Sequence, residues 1–312
     1  MPTILKVGSQ GAAVRRLERE LKERGFFTGK ADGTFDKQTK AAVKAFEASK
    51  DWKTDGIVGG RIWRRLNLSG NGQDSFAIKT VNINVKNNPE MPQGKVRHDV
   101  RRAATQGSLI GWNEIGPDRY FKAIRNLGKE WGHYMPKHGN YRIPNPISWK
   151  KSEWELKGSG FMKTHGGMAK VSPARYITWA KLKHKDSDQT VVRINTHLVS
   201  GAWSGKKPTT EWRRKQWNTH MDKLSKLVER FEKQGHTVIV GGDFNRDSHK
   251  VLGNQVKYAS GLNAPTHGNR TLDYLMHVQD DYIRKVGTKV DKQYHSDHNA
   301  VVVKYALKKE KK

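Results

Sequence analysis

The run Thr237-Val-Ile-Val-Gly-Gly-Asp-Phe-Asn245 decides the fold of the larger part of the chain. β-Branched residues favour strands, and a short apolar run that meets glycine indicates a buried strand. A strand of this kind can present polar side chains at its end to a cleft. We therefore predict a strand over residues 237–243 that displays Asp243 and Asn245, although Gly-Gly-Asp-Phe-Asn alone would also suit a plain turn.

The rest of residues 76–307 alternates between patterns typical of strands and of helices. Residues near 95–105 and 117–127 are predicted to be helical, and residues 210–234 form the clearest helix because apolar side chains recur on one face. Residues 132–172, rich in Gly, Pro, Lys and aromatic residues, are predicted to form long surface loops. The mixture predicts a layered sandwich of helices and sheets. The other predicted strands cover residues 76–85, 109–114, 176–182, 191–197, 271–277 and 300–305.

Further polar residues stand at or beside the predicted strand ends. Oxygen ligands with few imidazoles favour Mg²⁺, Mn²⁺ or Ca²⁺ over zinc. An imidazole together with a carboxylate is suited to proton transfer during phosphoryl chemistry. Each motif alone also fits an ordinary turn or core residue, but their order along the chain is informative. The residues are Asn82, Glu114, His197, Asp273, Asp297 and His298.

The succession of Asn, Glu, His, Asp-x-Asn, Asp and Asp-His resembles the deoxyribonuclease I-like endonuclease/exonuclease/phosphatase family. The resemblance spans residues 76–307 and involves six separate motifs in the family order. It implies an α+β fold, a four-layer α/β/β/α sandwich with the cleft at one edge of two packed sheets. It also implies a divalent-metal-dependent phosphodiester hydrolase, with Mg²⁺ as the expected ion and Mn²⁺ or Ca²⁺ as alternatives.

The resemblance also assigns roles around the cation and the water. Glu114 is expected to be the principal metal ligand with Asn82 beside it, and Asp297 to contribute to a second metal site or to the outer shell of the same cation. Asp243 is expected to orient or deprotonate the attacking water. Carboxylates gathered in one place repel one another unless a cation lies between them, so metal dependence also follows from the chemistry.

Around the phosphate, the resemblance assigns Asn245 to hold an oxygen and Arg175 to contact the phosphate. His298 is expected to hydrogen-bond the scissile phosphate, with Asp273 fixing its tautomer and supporting its positive charge. His197 is expected to be a second catalytic histidine. Its acidic partner is not evident from the sequence, and the candidates by elimination are Glu130, Glu153 and Glu155.

Charge is the strongest signal in the composition. The 312 residues include 59 Lys and Arg against 30 Asp and Glu, a formal net charge of +29. Residues 1–70 contain 15 basic and 8 acidic residues, and the remainder contains 44 and 22, so most of the excess lies in the larger unit. Such a field attracts polyanions, including nucleic acid, although a highly soluble, lysine-rich protein would show it too. The absence of cysteine excludes disulfides, thiolate zinc sites and thiol catalysis.

Residues 1–68 predict a small three-helix unit in which turns separate apolar helical patterns. The turn features are Gly8-x-x-Gly11, Asp32-Gly-Thr-Phe35 and Asp55-Gly-Ile-Val-Gly59. These features resemble a peptidoglycan-binding domain, which implies binding to a cell-wall polymer, except that Glu18 and Glu47 stand where that family usually has glutamine. A docking or stabilising module that has lost its ligand is the alternative. The candidate ligand contacts, which equally suit turn and core positions, are Asp32, Trp52, Asp55 and Trp63.

Residues 69–75 have linker composition, and residues 308–312 form a basic solvated tail. No run approaches the roughly 18 apolar residues of a membrane-spanning helix, and no signal peptide is visible. We expect a monomeric nuclease that cuts DNA, or alternatively RNA, at a bacterial cell wall in an extracellular or phage-associated setting. The alternatives are a phosphoesterase of the same fold acting on phospholipid or small phosphoesters, and a basic binding protein without catalysis. Tryptophans that would stack on bases, be buried or touch lipid are Trp131, Trp149, Trp154, Trp203 and Trp212.

Overall fold

The computed structural model describes residues 4–59, 62, 66, 75–86, 88–203, 205, 209–247, 256–258, 264–278 and 282–308. The chain divides into two compact units, Met1–Ser75 and Phe76–Lys312. Trp63, most of the predicted linker and nearly all of the predicted tail lie outside the described residues. None of the helices in the described ranges has the length and apolar character that crossing a membrane requires.

The small unit is built around helices α1 (Ala12–Glu23) and α2 (Lys37–Ala48). Asp36 caps α2 as predicted, because its carboxylate accepts a hydrogen bond from the backbone N–H of Thr39 at 2.8 Å. Residues 62 and 66, from the predicted third helix, are helical and buried. The apolar core of this unit includes Leu5, Val14, Leu17, Leu21, Phe27, Phe35, Val43, Phe46, Val58, Ile62 and Leu66.

Two six-stranded sheets form the centre of the large unit. The strands of the first sheet are β1 (Ser75–Asn84), β2 (Leu109–Asn113), β3 (Trp131–Tyr134), β6 (Ile147–Lys150), β13 (Ile283–Asp291) and β14 (Ala300–Lys308). Those of the second sheet are β7 (Trp154–His165), β8 (Arg175–His184), β9 (Thr190–His197), β10 (Thr237–Asp243), β11 (Val256–Tyr258) and β12 (Asp273–Val278). A separate hairpin consists of β4 (Lys137–His138) and β5 (Tyr141–Arg142). The strand orders are β13-β14-β1-β2-β6-β3 and β11-β12-β10-β9-β8-β7.

Helices cover the outer faces of both sheets. Helices α3 (Gln93–Gln106) and α4 (Asp118–Arg125) pack on the first sheet through one apolar cluster. Helix α5 (Thr210–Lys233) packs on the second sheet through another. A third apolar cluster fills the space between the sheets. The layers therefore run helices, sheet, sheet, helix, which confirms the predicted four-layer α/β/β/α sandwich.

The prediction of long surface loops over residues 132–172 is wrong, because this range contains all of β4, β5, β6 and β7 and most of β3. Strand β13 was also missing from the predicted set. Strands β3, β7 and β13 all lie at sheet edges. Edge strands tolerate lysine and glycine, since one side of the backbone faces no partner strand. Their composition therefore resembles that of loops.

The space between the sheets changes from apolar at one end to polar at the other. Along β1, the side chains facing the other sheet run from Ile78 to Asn84. Along β9, they run from Val191 through Arg193 to His197. Because side chains on one face of a strand recur every second residue, each strand contributes polar groups to the same end. That end is the position of the candidate site.

Candidate active site

Strand register brings the central polar residues together around Asp243. Asp243, the last residue of β10, lies opposite His197 of β9 and opposite Asp273 of β12. From the other sheet, the Asn84 side-chain amide donates to Asp243 Oδ2 and to Glu114 Oε1, both at 3.0 Å. One amide therefore links the carboxylates of the two sheets.

Two site residues adopt the left-handed backbone conformation, which is uncommon outside glycine. Glu114 has φ of 61° and Asn245 has φ of 51°. The turn at Asn245 is closed by its own backbone N–H, which donates to Asp243 Oδ1 at 2.8 Å. The Asn245 side-chain amide donates to the carbonyl of Leu198 at 3.1 Å. Backbone conformations of this kind persist where surrounding contacts hold them, as these bonds do.

His298 is held as a cation by the carboxylates around it. Its Nδ1–H donates to Asp273 Oδ2 at 2.7 Å, and its Nε2 lies 4.0 Å from Asp243 Oδ2. Burial lowers the pKa of His298, but the charge and hydrogen bond of Asp273, with the charges of Asp243 and Asp297, outweigh burial and raise it to about 10. The pair therefore presents a positively charged Nε2–H to the cleft.

His197 is held in the opposite, neutral state. The Arg175 guanidinium donates to His197 Nδ1 at 2.9 Å, and a guanidinium has no acceptor, so the imidazole proton must lie on Nε2. His197 Nε2 lies 3.5 Å from Asp243 Oδ2 and 3.7 Å from Glu114 Oε1. Burial, followed by the charge of Arg175, lowers the pKa of His197 well below its usual value.

His197 Nδ1 therefore has an arginine as its partner, where the family resemblance predicted an acidic residue. Glu153 accepts a hydrogen bond from Ser108, and Glu155 pairs with Lys157. Glu130 is exposed. The prediction by elimination is wrong because it assumed that the partner must carry negative charge, whereas an Nδ1 atom that accepts a bond fixes the tautomer equally well.

Asp243 is buried among charges of both signs. Burial and the charge of Asp273 raise the pKa of Asp243 to about 7, against the lowering effects of His298 and the Asn245 backbone N–H. A carboxyl group with this pKa is suited to exchange a proton with water near neutral pH. A cation bound beside it would lower the pKa again, because positive charge stabilises the carboxylate.

Asn82 lies away from the position predicted for it. Its side-chain oxygen accepts a hydrogen bond from Arg193 at 3.1 Å, and its side-chain amide donates one to Asn113 at 3.2 Å. All three side chains are buried between the sheets. Asn84 occupies the position beside Glu114 instead. The motif Val-Asn-Ile-Asn places both asparagines on one face of β1, and the one nearer the strand end reaches the site.

Asp297 stands at the rim of the site and already has a cationic partner. Lys86 Nζ lies 3.1 Å from its carboxylate, and His267 Nε2 lies at 3.8 Å. The His267 ring centroid is 4.5 Å from that of His298. The sequence interpretation missed Lys86 and His267, since neither belongs to the motifs that carry the family resemblance.

The carboxylates and imidazoles converge on a cleft of about 720 Å³. Its lining includes the motif residues Glu114, His197, Asp243, Asn245 and His298, together with Arg175, Trp203, Arg246, His267 and Arg270. Arg246, Arg270 and Asn84 are further residues that the sequence interpretation did not assign.

Glu114, His197 and Asp243 each place one possible ligand atom within 4.8 Å of the other two. Because His197 Nδ1 accepts from Arg175 and Nε2 carries the proton, the carboxylates of Glu114 and Asp243 are the groups that would ligate a cation, with the His197 N–H beside it. Burial and the charge of Asp273, with a smaller contribution from the charge of Glu114, raise the pKa of Asp243. A divalent cation would relieve that repulsion, so these residues fit the ion that the fold implies. Glu114 is the most accessible of them, with 29% of its side chain exposed.

Comparison with known proteins separates the two units. Residues 10–66 match the sequence family of peptidoglycan binding domains. The chain is also 38% identical over 66 residues to the chloroplastic protein disulfide isomerase pTAC5 of Arabidopsis thaliana. That match covers 20% of this chain, and the chain spans 17% of the length of this curated relative. The predicted resemblance of the small unit is confirmed.

Solved structures match the rest of the chain. An endonuclease/exonuclease/phosphatase from Bacteroides vulgatus has a TM-score of 0.60 at 14% identity, covering 75% of this chain and all (100%) of that one. The Bacteroides thetaiotaomicron mannosyl-6-phosphatase has a TM-score of 0.60 at 11% identity, covering 73% and 99%. D. rerio TDP2 complexed with a single strand DNA product has a TM-score of 0.57 at 12% identity, covering 73% and 98%. The large unit has the endonuclease/exonuclease/phosphatase fold.

The tryptophans of the endonuclease/exonuclease/phosphatase unit divide between core and cleft. Trp131, Trp149 and Trp154 are buried. Trp212 is half-buried against the core, with its ring edge on His165. Trp203 lines the cleft and is 38% exposed, so it is the tryptophan of this set that is placed to meet a substrate.

In the peptidoglycan-binding unit, the two glutamates that depart from the family pattern are buried and bonded. Glu18 accepts from the backbone N–H of Gly33 at 2.8 Å and from the Thr39 hydroxyl at 2.9 Å. Glu47 accepts from the backbone N–H of Gly56 at 2.9 Å. Each glutamate thus ties an Asp-Gly turn to its helix. A glutamine oxygen would accept the same backbone bond at each position, and at position 18 its amide would donate to the Thr39 hydroxyl, so both departures preserve the architecture.

The candidate cell-wall contacts are placed as follows. Asp32 and Asp55 are exposed, and their carboxylates accept from the backbone N–H of the residue two positions later, at 2.7 and 2.9 Å. Trp52 is half-buried, and its ring centroid lies 6.2 Å from that of Phe46 in an edge-to-face arrangement. These contacts satisfy the turn and core roles, and the two exposed aspartates leave one face of each turn open to a ligand.

Proposed function

We propose that the large unit is a divalent-metal-dependent phosphodiesterase that hydrolyses nucleic acid, and that the small unit holds it on a cell-wall polymer. The observation that carries the first part is the convergence of Asp243, the Glu114 carboxylate and the cationic His298 on one cleft. Attack of water on a phosphodiester needs a base near the water and positive charge near the phosphate oxygens. These three groups supply both.

The roles follow from the environment of each group. Asp243 accepts a proton from the attacking water, since its buried carboxylate lies at the centre of the cleft, 3.5 Å from His197 Nε2 and 4.0 Å from His298 Nε2. His298 donates a charged hydrogen bond to a phosphate oxygen, and Asp273 keeps it protonated. Arg175 places a second positive charge at the phosphate and holds His197 as an Nε2–H donor.

Asn245 is positioned to hold a phosphate oxygen, because its backbone is fixed by Asp243. Glu114 and Asp243 would hold a divalent cation, with Mg²⁺ proposed and Mn²⁺ or Ca²⁺ as alternatives. When bound, such an ion neutralises the negative charge that develops on the phosphate during hydrolysis. Asn84 orients both carboxylates toward it.

A polymer substrate is supported by what surrounds the cleft. Tyr141 and Phe161 are 43% and 38% exposed, and both rings contact Tyr176, which follows Arg175 in β8. The Tyr141 hydroxyl is close enough to Arg175 for that charge to lower its pKa, although burial raises it overall. Exposed aromatic rings beside a phosphate-binding arginine suit stacking of unpaired bases.

The test is a substrate panel with a matched pair of tyrosine variants. Plasmid, single-stranded DNA, RNA and a small phosphodiester are incubated with wild type, Tyr141→Ala and Tyr282→Ala, with Mg²⁺ and with EDTA. Tyr282 is equally exposed, at 43%, but it precedes the edge strand β13 of the first sheet, whereas Tyr141 lies within reach of the Arg175 charge. We expect metal-dependent cleavage of DNA, a roughly 10-fold lower kcat/KM in Tyr141→Ala on oligonucleotides alone, and no change in Tyr282→Ala. Full-rate cleavage in EDTA contradicts the mechanism.

A second candidate keeps the chemistry and changes the substrate. The mannosyl-6-phosphatase shares the fold with a TM-score of 0.60, so the same architecture accommodates a small phosphoester. Turnover of sugar phosphates, phosphoinositides or phospholipids, with none on any nucleic acid, would establish this candidate. In that outcome Tyr141→Ala and Tyr282→Ala would behave alike on every substrate.

Cell-wall binding is tested with the full chain. The net charge of +29 attracts any anionic polymer, so binding to purified peptidoglycan is measured in high salt, where screening removes most of that attraction. We expect the protein to remain on the wall in high salt and Trp52→Ala to weaken it. Trp203→Ala in the large unit is the control and should bind as wild type. Complete release by salt would show that charge alone held the protein.

A further inference from the structure

A second group of metal-ligating side chains lies between α3 and the segment that carries His298. His98 and Asp99 lie in α3, and His295 precedes His298 by three residues. One ligand atom from each of His98, Asp99 and His295 lies within 4.8 Å of the other two. None of the three lines the cleft. The cluster is therefore separate from the candidate active site.

The spacing of these atoms suits a small tetrahedral ion. The Nδ1 atoms of His98 and His295 lie 3.1 and 3.0 Å from the same oxygen, Asp99 Oδ1. Ligand atoms about 2.0–2.1 Å from a tetrahedral ion lie roughly 3.4 Å from one another. An ion could therefore enter after small side-chain rotations. It would replace the two hydrogen bonds by which His98 and His295 now share Asp99 Oδ1.

Asp99 is fixed in place before any ion arrives. Its side chain is fully buried and accepts the backbone N–H of His295 at 2.9 and 3.0 Å and that of Ser296 at 3.1 Å. The two imidazoles, in contrast, are 51% and 37% exposed. A rigid carboxylate with two accessible imidazoles gives an ion both an anchor and an entry path.

The local charges permit a cation. Arg102, three residues after Asp99 and therefore on the same side of α3, forms a two-point ion pair with Asp291 at 2.9 and 3.0 Å. Arg97 and Arg101 are exposed, so water and salt screen their charges. Two imidazoles and one carboxylate favour Zn²⁺ and its transition-metal neighbours over Mg²⁺.

We propose that His98, Asp99 and His295 form a transition-metal site that takes Zn²⁺, with water completing the coordination. The site fastens α3 to the segment that positions His298. Within that segment, the Ser296 hydroxyl donates to the Asn84 carbonyl at 2.7 Å and accepts from the His298 backbone N–H at 3.1 Å. The ion is structural, and the active-site chemistry does not require it.

The test uses the full-length protein with excess Mg²⁺, so that oxygen-rich sites are filled, and titrates Zn²⁺ by calorimetry. Co²⁺ serves as a spectroscopic substitute, because tetrahedral coordination gives it intense visible absorption. We expect one equivalent of Zn²⁺ to bind wild type. Zinc at about 100-fold above its Kd should raise Tm by roughly 5 °C.

Variants assign the binding to these residues. His98→Ala, an exposed position in the helix, should abolish the zinc-dependent rise in Tm and the Co²⁺ spectrum while leaving Mg²⁺-supported turnover unchanged. His295→Ala should do the same to the metal signals. His236→Ala is the matched control, since His236 belongs to none of the ligand groups found among the described residues. It should retain both signals.

Active-site binding of zinc is the competing explanation. Glu114→Gln should keep the zinc equivalent if the new site is correct, because Glu114 belongs to another ligand group. Loss of the signal in Glu114→Gln with retention in His98→Ala would overturn the assignment. So would a wild-type protein that shows neither a calorimetric equivalent nor a Co²⁺ spectrum. None of these readouts depends on the substrate, so the result stands whatever the fate of the proposed nuclease activity.

Discussion

Two histidines of the cleft, His298 and His197, are held in opposite charge states. On the acidic side, made of Asp273, Asp297 and His298, neighbouring carboxylates raise the histidine pKa to about 10. On the arginine side, Arg175 lines the cleft with His197 and lies near the buried His165 and His220. Burial lowers the pKa of each of these histidines, and the charge of Arg175 lowers it further.

The difference shows that burial alone does not decide the protonation of an imidazole here. His298 and His197 are buried to a similar degree, at 6% and 4% exposure. The sign of the nearest charge separates them, since Asp273 bonds one Nδ1 and Arg175 bonds the other. The site thus contains one permanent cationic donor and one neutral donor around a single base, Asp243.

The largest effect is expected from His298→Ala. Removing the cationic donor while Asp243 and Asp273 remain should lower kcat by about 10³-fold, with little change in DNA binding. The measurement is steady-state kinetics on the best substrate of the panel. Loss of turnover in this variant would also dispose of the view that the protein only binds polyanions. His236→Ala serves as the control, and unchanged turnover in His298→Ala would contradict the proposed mechanism.

Asp273→Asn tests the acidic side more finely. The amide keeps the shape but removes the charge that holds the proton, so the pKa of His298 should fall from about 10 toward its usual range. We expect kcat to fall by about 10²-fold at neutral pH and to recover partly at lower pH. NMR titration of the His298 ring checks the shift. Asp297→Asn, further out on the rim, should change the pKa less.

Arg175→Ala tests the arginine side, with a smaller effect of about 10-fold on kcat/KM, through loss of a charged phosphate contact. The same variant frees His197 Nδ1, so the ring should populate both tautomers and its pKa should rise. Nitrogen chemical shifts of His197 report both changes. If the tautomer stays on Nε2 without Arg175, the guanidinium is not what fixes it.

The smallest effect concerns stability in acid. His165, with a pKa lowered to about 4, and His220, whose pKa lies well below the usual value, stay neutral in the fold and protonate in the unfolded chain. The unfolded state therefore binds more protons below pH 6.5, and stability is full above that pH and falls as pH decreases. Each such histidine contributes about 1.4 kcal/mol per pH unit within its window.

His220→Gln is the variant that measures this contribution. His220 Nε2 lies 2.6 Å from the Thr196 hydroxyl and Nδ1 3.0 Å from the Thr164 hydroxyl, and glutamine can retain one of these contacts. The free energy of unfolding, measured between pH 7 and pH 5, should depend less on pH in the variant. An unchanged slope would mean that His220 keeps its usual pKa. His138→Gln, an exposed histidine, is the control.

Much of the fold and part of the site followed from the sequence. The strand ending at Asp243, the helix over residues 210–234 and the pairing of Asp273 with His298 were all predictable, because each depends on a local pattern or on the order of motifs. Edge strands such as β7 were not, because lysine and glycine hide their alternation.

The finer errors have a different physical origin. Asn82 and Asn84 share one face of a strand, so only the length of the strand decides which of them reaches the cleft. The partner of His197 comes from Arg175, 22 residues earlier, and only the register of β8 against β9 brings them together. His98 and His295 are 197 residues apart, and no motif links them. Contacts of this kind depend on tertiary packing.

The amide of Asn84 bridges carboxylates that belong to separate sheets, and this has a consequence for how the protein is made. The bond from Asn84 to Asp243 spans 159 residues, and the one from Ser296 to the Asn84 carbonyl spans 212. No fragment shorter than residues 84–298 contains Asn84, Asp243 and His298 together. Under the proposed function, hydrolytic capacity should thus emerge only once both halves have docked, so a growing or truncated chain would carry none.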